Sequence, residues 1–273
     1  MSAYYSPLRL ILVLSIPHQN SPLIAGNLFT FFASPKIRLS LSLTKKEEVS
    51  PDTYQLTFSH PAPFAYTPGQ YLEWTFDHAT PDNRGIRRYF TIASAPHEPL
   101  SIGIKIKEKA SSFKEAIKKI VPGEKIITGG LYGDFILHPN QTQKLVWIAG
   151  GIGITPFRSM AKHLLKTNEQ RNITLFYCAL NPNDFPYLDI FQEAKKIGLT
   201  TIPVITDKAN IPENWTGEAG YLTPEIIKKH IPDFNERHYY LSGPNAMVTS
   251  YKSLLKNIGI SSSQIHTDYF PGF

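Results

Sequence analysis

Residues 144–165 read "KLVWIAGGIGITPFRSMAKHLL", and this stretch decides the fold. An apolar strand-like run, "KLVWI", meets the glycine-rich turn "AGGIGITP" (149–156) and then a helix-like run, "FRSMAKHLL". A turn that leaves a strand and opens a helix can cradle a phosphate, because the first N–H groups of a helix have no partner inside it. The dinucleotide fingerprint G-x-G-x-x-G wants glycine at its sixth position. Counted from Gly151, that position holds Pro156. The turn points to a nucleotide site, and the proline asks which kind.

The rhythm on the C-terminal side of this stretch supports the reading. "KLVWIAG", "ITLFYCAL", "LTTIPVIT" and "HYYLSG" alternate with helical patterns near 156–167, 186–197, 223–231 and 245–257. That is the βαβ order of a doubly wound parallel sheet. On the N-terminal side the pattern is short and alternating: "IRLSLSLT", "TYQLTFS", "YLEWTF", "RYFTIAS", "LSIGIKIK" and "EKIITGG". Turns such as "TPGQ" and "VPGE" separate these runs, and one helix, capped by Ser111 and Ser112, interrupts them near "SSFKEAIKKI". Six closely spaced strands predict a small antiparallel barrel. The expected organisation is an apolar N-terminal segment (1–36), a barrel (37–142) and a parallel-sheet domain (143–273).

Composition narrows the chemistry. The 273 residues are 42% apolar and 12% aromatic, enough to fill real cores, and carry a net charge of +6 that favours acidic or phosphorylated partners. One cysteine, Cys178, excludes an internal disulfide framework and a cluster held by four thiolates of this chain. It lies in the apolar run "ITLFYCAL" and reads as a buried structural thiol. The nine histidines are scattered, without the helical spacing of a zinc pair, so no metal site is expected. The apolar runs within 1–36 are divided by "HQNS" and fall short of a bilayer-spanning helix; they suggest membrane-surface elements or a strap.

Ligands bind open parallel sheets at the carboxyl ends of strands. Two of these ends carry glycine, Gly151–Thr155 and Ser242-Gly243-Pro244, where a backbone can approach a ligand closely. Ordinary tight turns remain the alternative. In the barrel half, "RRYFTIAS" (87–94) sets Arg88 and Thr91 into an aromatic strand. A guanidinium there can hold a diphosphate, Phe90 offers a flat face, and the Thr91 hydroxyl can meet a heteroaromatic nitrogen. An edge strand with a surface arginine explains that segment equally well.

The order "PGQY" (68–71), "RYFT" (88–91), "GLYGDF" (130–135), "GGIGITP" (150–156) and "LSGPNAM" (241–247) resembles the ferredoxin–NADP reductase superfamily over roughly 37–273. The resemblance implies a flavin-binding barrel followed by a pyridine-nucleotide domain, and it accounts for Pro156, since members close the glycine loop with proline. Carried over by motif, the Arg88–Thr91 strand with Tyr89 would hold FAD. Arg88 would take the diphosphate, Phe90 would replace the usual tyrosine against the isoalloxazine, and Thr91 would meet flavin N5. Ile104 and Lys105 would flank the adenine side, and Ser111, Ser112 and Phe113 would bring helix N–H groups to the diphosphate. Gly151, Gly153, Thr155, Pro156, Gly243 and Pro244 would shape the nicotinamide side. Ser242 stands where many relatives have cysteine, so Thr91 and Ser242 are the expected catalytic pair. Phe270 is the expected ring over the flavin, with Tyr269 and Phe273 as rivals. Leu180, where similar chains often have arginine, and the following Asp184 favour NADH over NADPH.

The implied function is an NAD(P)H-dependent flavoprotein oxidoreductase that passes electrons to a separate acceptor. That acceptor would be a ferredoxin- or flavodoxin-like protein, a membrane electron-transport partner or a quinone. The alternative is a non-catalytic flavin or nucleotide sensor on the same fold. Lys105, Lys107 and Lys109 alternate and are expected to share one strand face that could dock an acidic carrier. Nucleic acid is not expected as a partner, because basicity alone supports it. The expected location is cytoplasmic, at the inner face of a membrane.

Overall fold

The computed structural model describes residues 38–60 and 64–270, so the apolar runs of 1–36 and the rival ring Phe273 lie outside the described residues. Two six-stranded sheets carry the fold. The first is antiparallel, in the order β4-β3-β6-β1-β2-β5. Its strands are β1 (Arg38–Ser50), β2 (Thr53–Ser59), β3 (Tyr71–Thr75), β4 (Arg87–Thr91), β5 (Leu100–Lys105) and β6 (Lys125–Tyr132).

Period-two alternation turns one side of each strand inward. Leu41 and Leu43, Leu56 and Phe58, Leu72 and Trp74, and Ile102 and Ile104 form one buried core. Phe58 and Trp74 meet at its centre, 5.0 Å apart. The edge strands β4 and β5 meet beyond β4 through the Ile92–Ile102 bridge. The helix α1 (Ser112–Lys119) packs Phe113 and Ile117 into the same core. Ser111 caps that helix by accepting from the Lys114 N–H. Lysines in its last turn suit the negative end of the helix dipole.

The second sheet is all parallel, in the order β10-β9-β8-β7-β11-β12. Its strands are β7 (Leu145–Gly150), β8 (Ile173–Ala179), β9 (Leu199–Ile205), β10 (Glu218–Ala219), β11 (His238–Pro244) and β12 (Ile265–Phe270). Every residue of β7 and β8 is buried, as expected for strands covered on both faces. The covering helices are α2 (Thr155–Thr167), α3 (Leu188–Glu193), α4 (Pro224–His230) and α5 (Asn245–Asn257). In α2 the buried Phe157, Met160, Ala161 and Leu164 follow the i, i+3, i+4, i+7 stripe of a core-facing helix. Phe157 stacks on Trp147 of β7 at 4.9 Å.

Two strands of this sheet escape the sequence pattern. β10 has two residues, too few for a period, and β12, "IHTDYF", mixes polar and apolar groups on a sheet edge. The chain runs outward from β7 to β8 and β9, then returns to lay β11 on the other side of β7. The switch point therefore lies between the carboxyl ends of β7 and β11, where open α/β sheets bind ligands.

Candidate active site at the switch point

The loop after β7 is a single 3₁₀ turn, Gly151–Ile154, running directly into α2 with Pro156 in its first turn. Proline fits there because its missing N–H would have no helical partner anyway. Gly151 has φ +52°, and a side chain built on it would meet nothing within 4 Å, so the loop's outer surface is open. Gly153 faces the opposite way, where a Cβ would sit 2.3 Å from the Ser242 carbonyl oxygen. No other residue could close the β7 loop so tightly on β11. Thr155 is buried and donates to the Ile152 carbonyl at 3.1 Å, while Pro244 is exposed beside Gly243. The six loop positions singled out from sequence, with Ser242, thus converge on one switch point.

β4 alternates as its sequence requires. Arg88 and Phe90 turn to the side of Phe113, with the guanidinium 5.3 Å and the Phe90 ring 5.8 Å from that ring. Tyr89 turns the other way, 54% exposed, and touches Tyr71 and Tyr132 edge-on. It does not share a face with Arg88 and Phe90. Ile104 is a core side chain that offers a ligand only its backbone. Ser112 does not cap α1; its Oγ accepts from the Asp82 N–H at 2.8 Å and bonds to His78 at 3.0 Å. Arg88 is engaged as well. Its Nη2 donates to both Asp82 carboxylate oxygens, at 2.9 and 3.1 Å, and Nη1 to the carbonyls of Arg84, Gly85 and Arg87. A diphosphate can take this fork only when the Asp82 carboxylate gives way.

Thr91, on the barrel, and Ser242, on β11, are both buried, at 3% and 0% exposure. They meet around a residue that sequence reading missed. Asp268 pairs with Ser242 across β11 and β12. Burial pushes its carboxyl up to about 6, the Asp134 carboxylate adds to the rise, and the Thr91 and Ser242 hydroxyls pull against it. Asp268 Oδ2 is buried without a hydrogen-bond partner, and Ser242 Oγ, equally buried, has the Asp268 carboxyl as its polar neighbour. Orphaned buried polar atoms are costly and call for an explanation. A ligand presenting its own donors and acceptors, as a flavin ring and a carboxamide do, fits this spot. The signal available in the sequence was an acid two positions before Phe270; β12 carries Phe270 to the end of the strand, beside Pro244.

Two further expectations need correction. β5 ends at Lys105, so Lys105, Lys107 and Lys109 form no common strand face. Lys105 turns inward to an ion pair with Asp184, 3.1 Å long, joining β5 to the loop after β8. Asp184 is therefore spent on that contact and on Asn181, and lends no support to a nicotinamide preference. Cys178 is buried, and burial pushes its thiol up to about 12, far from the reactive range. Among the described residues no group of histidine, cysteine and carboxylate side chains is arranged to hold a metal ion, and no helix is long and apolar enough to cross a membrane.

An antiparallel barrel with an arginine-bearing edge strand, joined to a parallel sheet with a glycine-proline loop at its switch point, defines a two-domain flavin- and nicotinamide-nucleotide-binding oxidoreductase fold. Residues 40–153 match the oxidoreductase FAD-binding domain and residues 147–253 the oxidoreductase NAD-binding domain. The chain belongs to the ferredoxin–NADP reductase superfamily. It is 27% identical over 223 residues to the glycine betaine monooxygenase reductase subunit of Pseudomonas aeruginosa, covering 80% of this chain and 60% of that one. It is 25% identical to reductase component 1 of the terephthalate 1,2-dioxygenase of Comamonas, covering 74% and 58%. The chain thus spans about three-fifths of the length of these relatives. Among solved structures, the Amycolatopsis cytochrome P450 reductase GcoB superposes with a TM-score of 0.74 at 23% identity, covering 87% of this chain and 71% of that one. The flavohem-like FAD/NAD-binding domain of Vibrio cholerae nitric oxide dioxygenase gives 0.72 at 18%, covering 85% and 98%.

Proposed function

We propose that this protein takes a hydride from a nicotinamide nucleotide onto FAD and delivers the electrons to a separate protein acceptor. The observation that carries the reading is the meeting of Thr91, Ser242 and Asp268 at the switch point, each from a different strand, with one carboxylate oxygen of Asp268 buried without a partner. When bound, FAD would supply the two-electron acceptor that no side chain of the chain provides. In this reading Thr91 hydrogen-bonds the flavin ring, Ser242 holds the nicotinamide carboxamide, and Asp268 holds a proton at its carboxyl up to about pH 6. Phe90 and Phe113 make the apolar wall beneath, and Arg88, once freed from Asp82, the diphosphate contact.

The relatives named as reductase components of oxygenase systems support a protein acceptor over a sensor role. NADH is the favoured donor. Leu180, 53% exposed just beyond β8, stands where a reader of the 2′-phosphate would bring a cation. Attachment at the inner face of a membrane through residues 1–36 completes the proposal. The test is steady-state turnover with an artificial one-electron acceptor. Turnover with NADH at least tenfold more efficient than with NADPH is expected. A colourless protein that takes up no FAD, or one that binds both ligands without turnover, would refute the reading.

A further inference from the structure

Thr91 and the glycine-rich loop belong to different sheets, yet hydride transfer needs the reacting atoms held about 3–3.5 Å apart. Two consecutive residues of α2 connect them. Arg158, 7% exposed, donates from Nη1 to the Ala93 carbonyl at 2.8 Å and to Glu98 Oε2 at 2.6 Å, and from Nη2 to Glu98 Oε1 at 3.3 Å. Ser159 donates to the next carbonyl, that of Ser94. Both carbonyls come directly after the Thr91–Ile92 pair, and both donors lie one helical turn beyond Thr155 and Pro156. The link therefore runs from the flavin-side hydroxyl to the start of the nucleotide helix with almost no slack.

The receiving side is itself fixed. Ser94 Oγ accepts from the Ser101 N–H at 2.9 Å and contacts the Tyr66 hydroxyl at 2.9 Å. Glu98 accepts from the Ala95 N–H at 2.8 Å. Burial alone would raise the Glu98 carboxyl, but the hydrogen bonds and charge of Arg158 outweigh it and hold the group below its usual range. A third contact closes the triangle. A Cβ on Gly103 of β5 would lie 2.7 Å from the Thr155 methyl and 3.1 Å from Ile152, so the barrel packs directly on the loop. Arg158 Nε is buried without a partner, a cost that a space-filling apolar side chain would avoid.

We propose that Arg158, assisted by Ser159, is a positioning residue for hydride transfer: through Glu98 and the carbonyls of Ala93 and Ser94 it sets the separation of the flavin strand and the nicotinamide loop. The proposal rests on the function above. Its test uses the FAD-loaded full chain and three variants: R158K, S159A and the double variant R158M/E98Q, which leaves no buried carboxylate unpaired. Anaerobic stopped-flow with NADH separates the limiting rate of flavin reduction from the nucleotide Kd. The expected result is a limiting rate lowered about ten- to a hundredfold in R158M/E98Q, with flavin content and Kd within about threefold of wild type. R158K should recover part of the loss, and S159A should lose less than the double variant. Calorimetry of the flavin-free protein should show one unfolding transition in wild type and two in R158M/E98Q. A limiting rate within about twofold of wild type, with only the Tm lowered, would overturn the proposal. If the double variant does not fold, S159A and R158K decide it by the same rate. If wild type itself is not reduced, the functional reading fails instead. The calorimetric result then judges the clamp alone: two transitions uphold it and one overturns it.

Discussion

Replacing Asp268 by asparagine tests the electrostatics of the site without any ligand. The Asp268 carboxyl is raised from about 3.8 to about 6, chiefly by burial. In the unfolded chain it ionises near its ordinary value, so between these two values the native state binds more protons than the unfolded one. This group therefore stabilises the fold fully below about pH 3.8, and the contribution is lost as the pH rises through about 6. Two pH units at about 1.36 kcal/mol each give about 3 kcal/mol in all, of which roughly 2–3 falls between pH 4 and pH 7. Asp268→Asn removes the titration while keeping the shape. The assay is urea unfolding of the flavin-free protein, followed by tryptophan fluorescence, at several pH values for both proteins. The stability of the asparagine variant relative to wild type should grow by roughly 2–3 kcal/mol across that range. A difference that stays flat, or shrinks, as the pH rises would show that the carboxyl is solvated and that Asp268 is not the buried group described here.

Asp82→Asn should tighten FAD binding, measured by quenching of flavin fluorescence, by about tenfold, and FMN binding less, because the Arg88 fork no longer answers to a carboxylate. Unchanged FAD affinity would mean that the diphosphate lies elsewhere. Ser242→Ala should keep its flavin content and still be reduced by NADH, with a rate lowered about threefold to thirtyfold, since one neutral hydrogen bond is worth about 0.5–1.5 kcal/mol and slightly more when it orders a ring. Complete loss of reduction would make Ser242 indispensable rather than a tuning group. The full chain should sediment with membranes, whereas a version starting at Ile37 should stay in the supernatant and still oxidise NADH; a full chain that stays in the supernatant contradicts attachment through 1–36.

The architecture was legible wherever a period was long enough to read. Leu41 and Leu43, or Leu56 and Phe58, betray half-buried strands, and the fully apolar "LVWIAG" and "ITLFYC" betray strands covered on both faces. β12 was not legible, because an edge strand carrying His266, Thr267 and Asp268 lacks any apolar alternation. Asp268 was missed for the same reason: its importance comes from the register with Ser242 and the approach of Thr91, which are facts of tertiary structure. Glycine and proline at 151–156 could be read because each serves a local backbone need. The alternating lysines at 105–109 mislead because the strand stops at Lys105, whose charge is drawn to Asp184 in the loop after β8. Arg88 shows a further limit. Its motif was visible, but the competing Asp82, six residues earlier, acquires meaning only when the intervening loop folds back.

The central claim is that one chain holds FAD and a nicotinamide nucleotide against each other at the switch point between β7 and β11. Anaerobic titration of the purified full chain, followed by its visible spectrum, tests this most directly. The protein should be yellow, release FAD on denaturation, and bleach with one equivalent of NADH per flavin, while Arg88→Ala should lose FAD more readily than wild type. A yellow protein whose spectrum neither NADH nor NADPH alters would contradict the account.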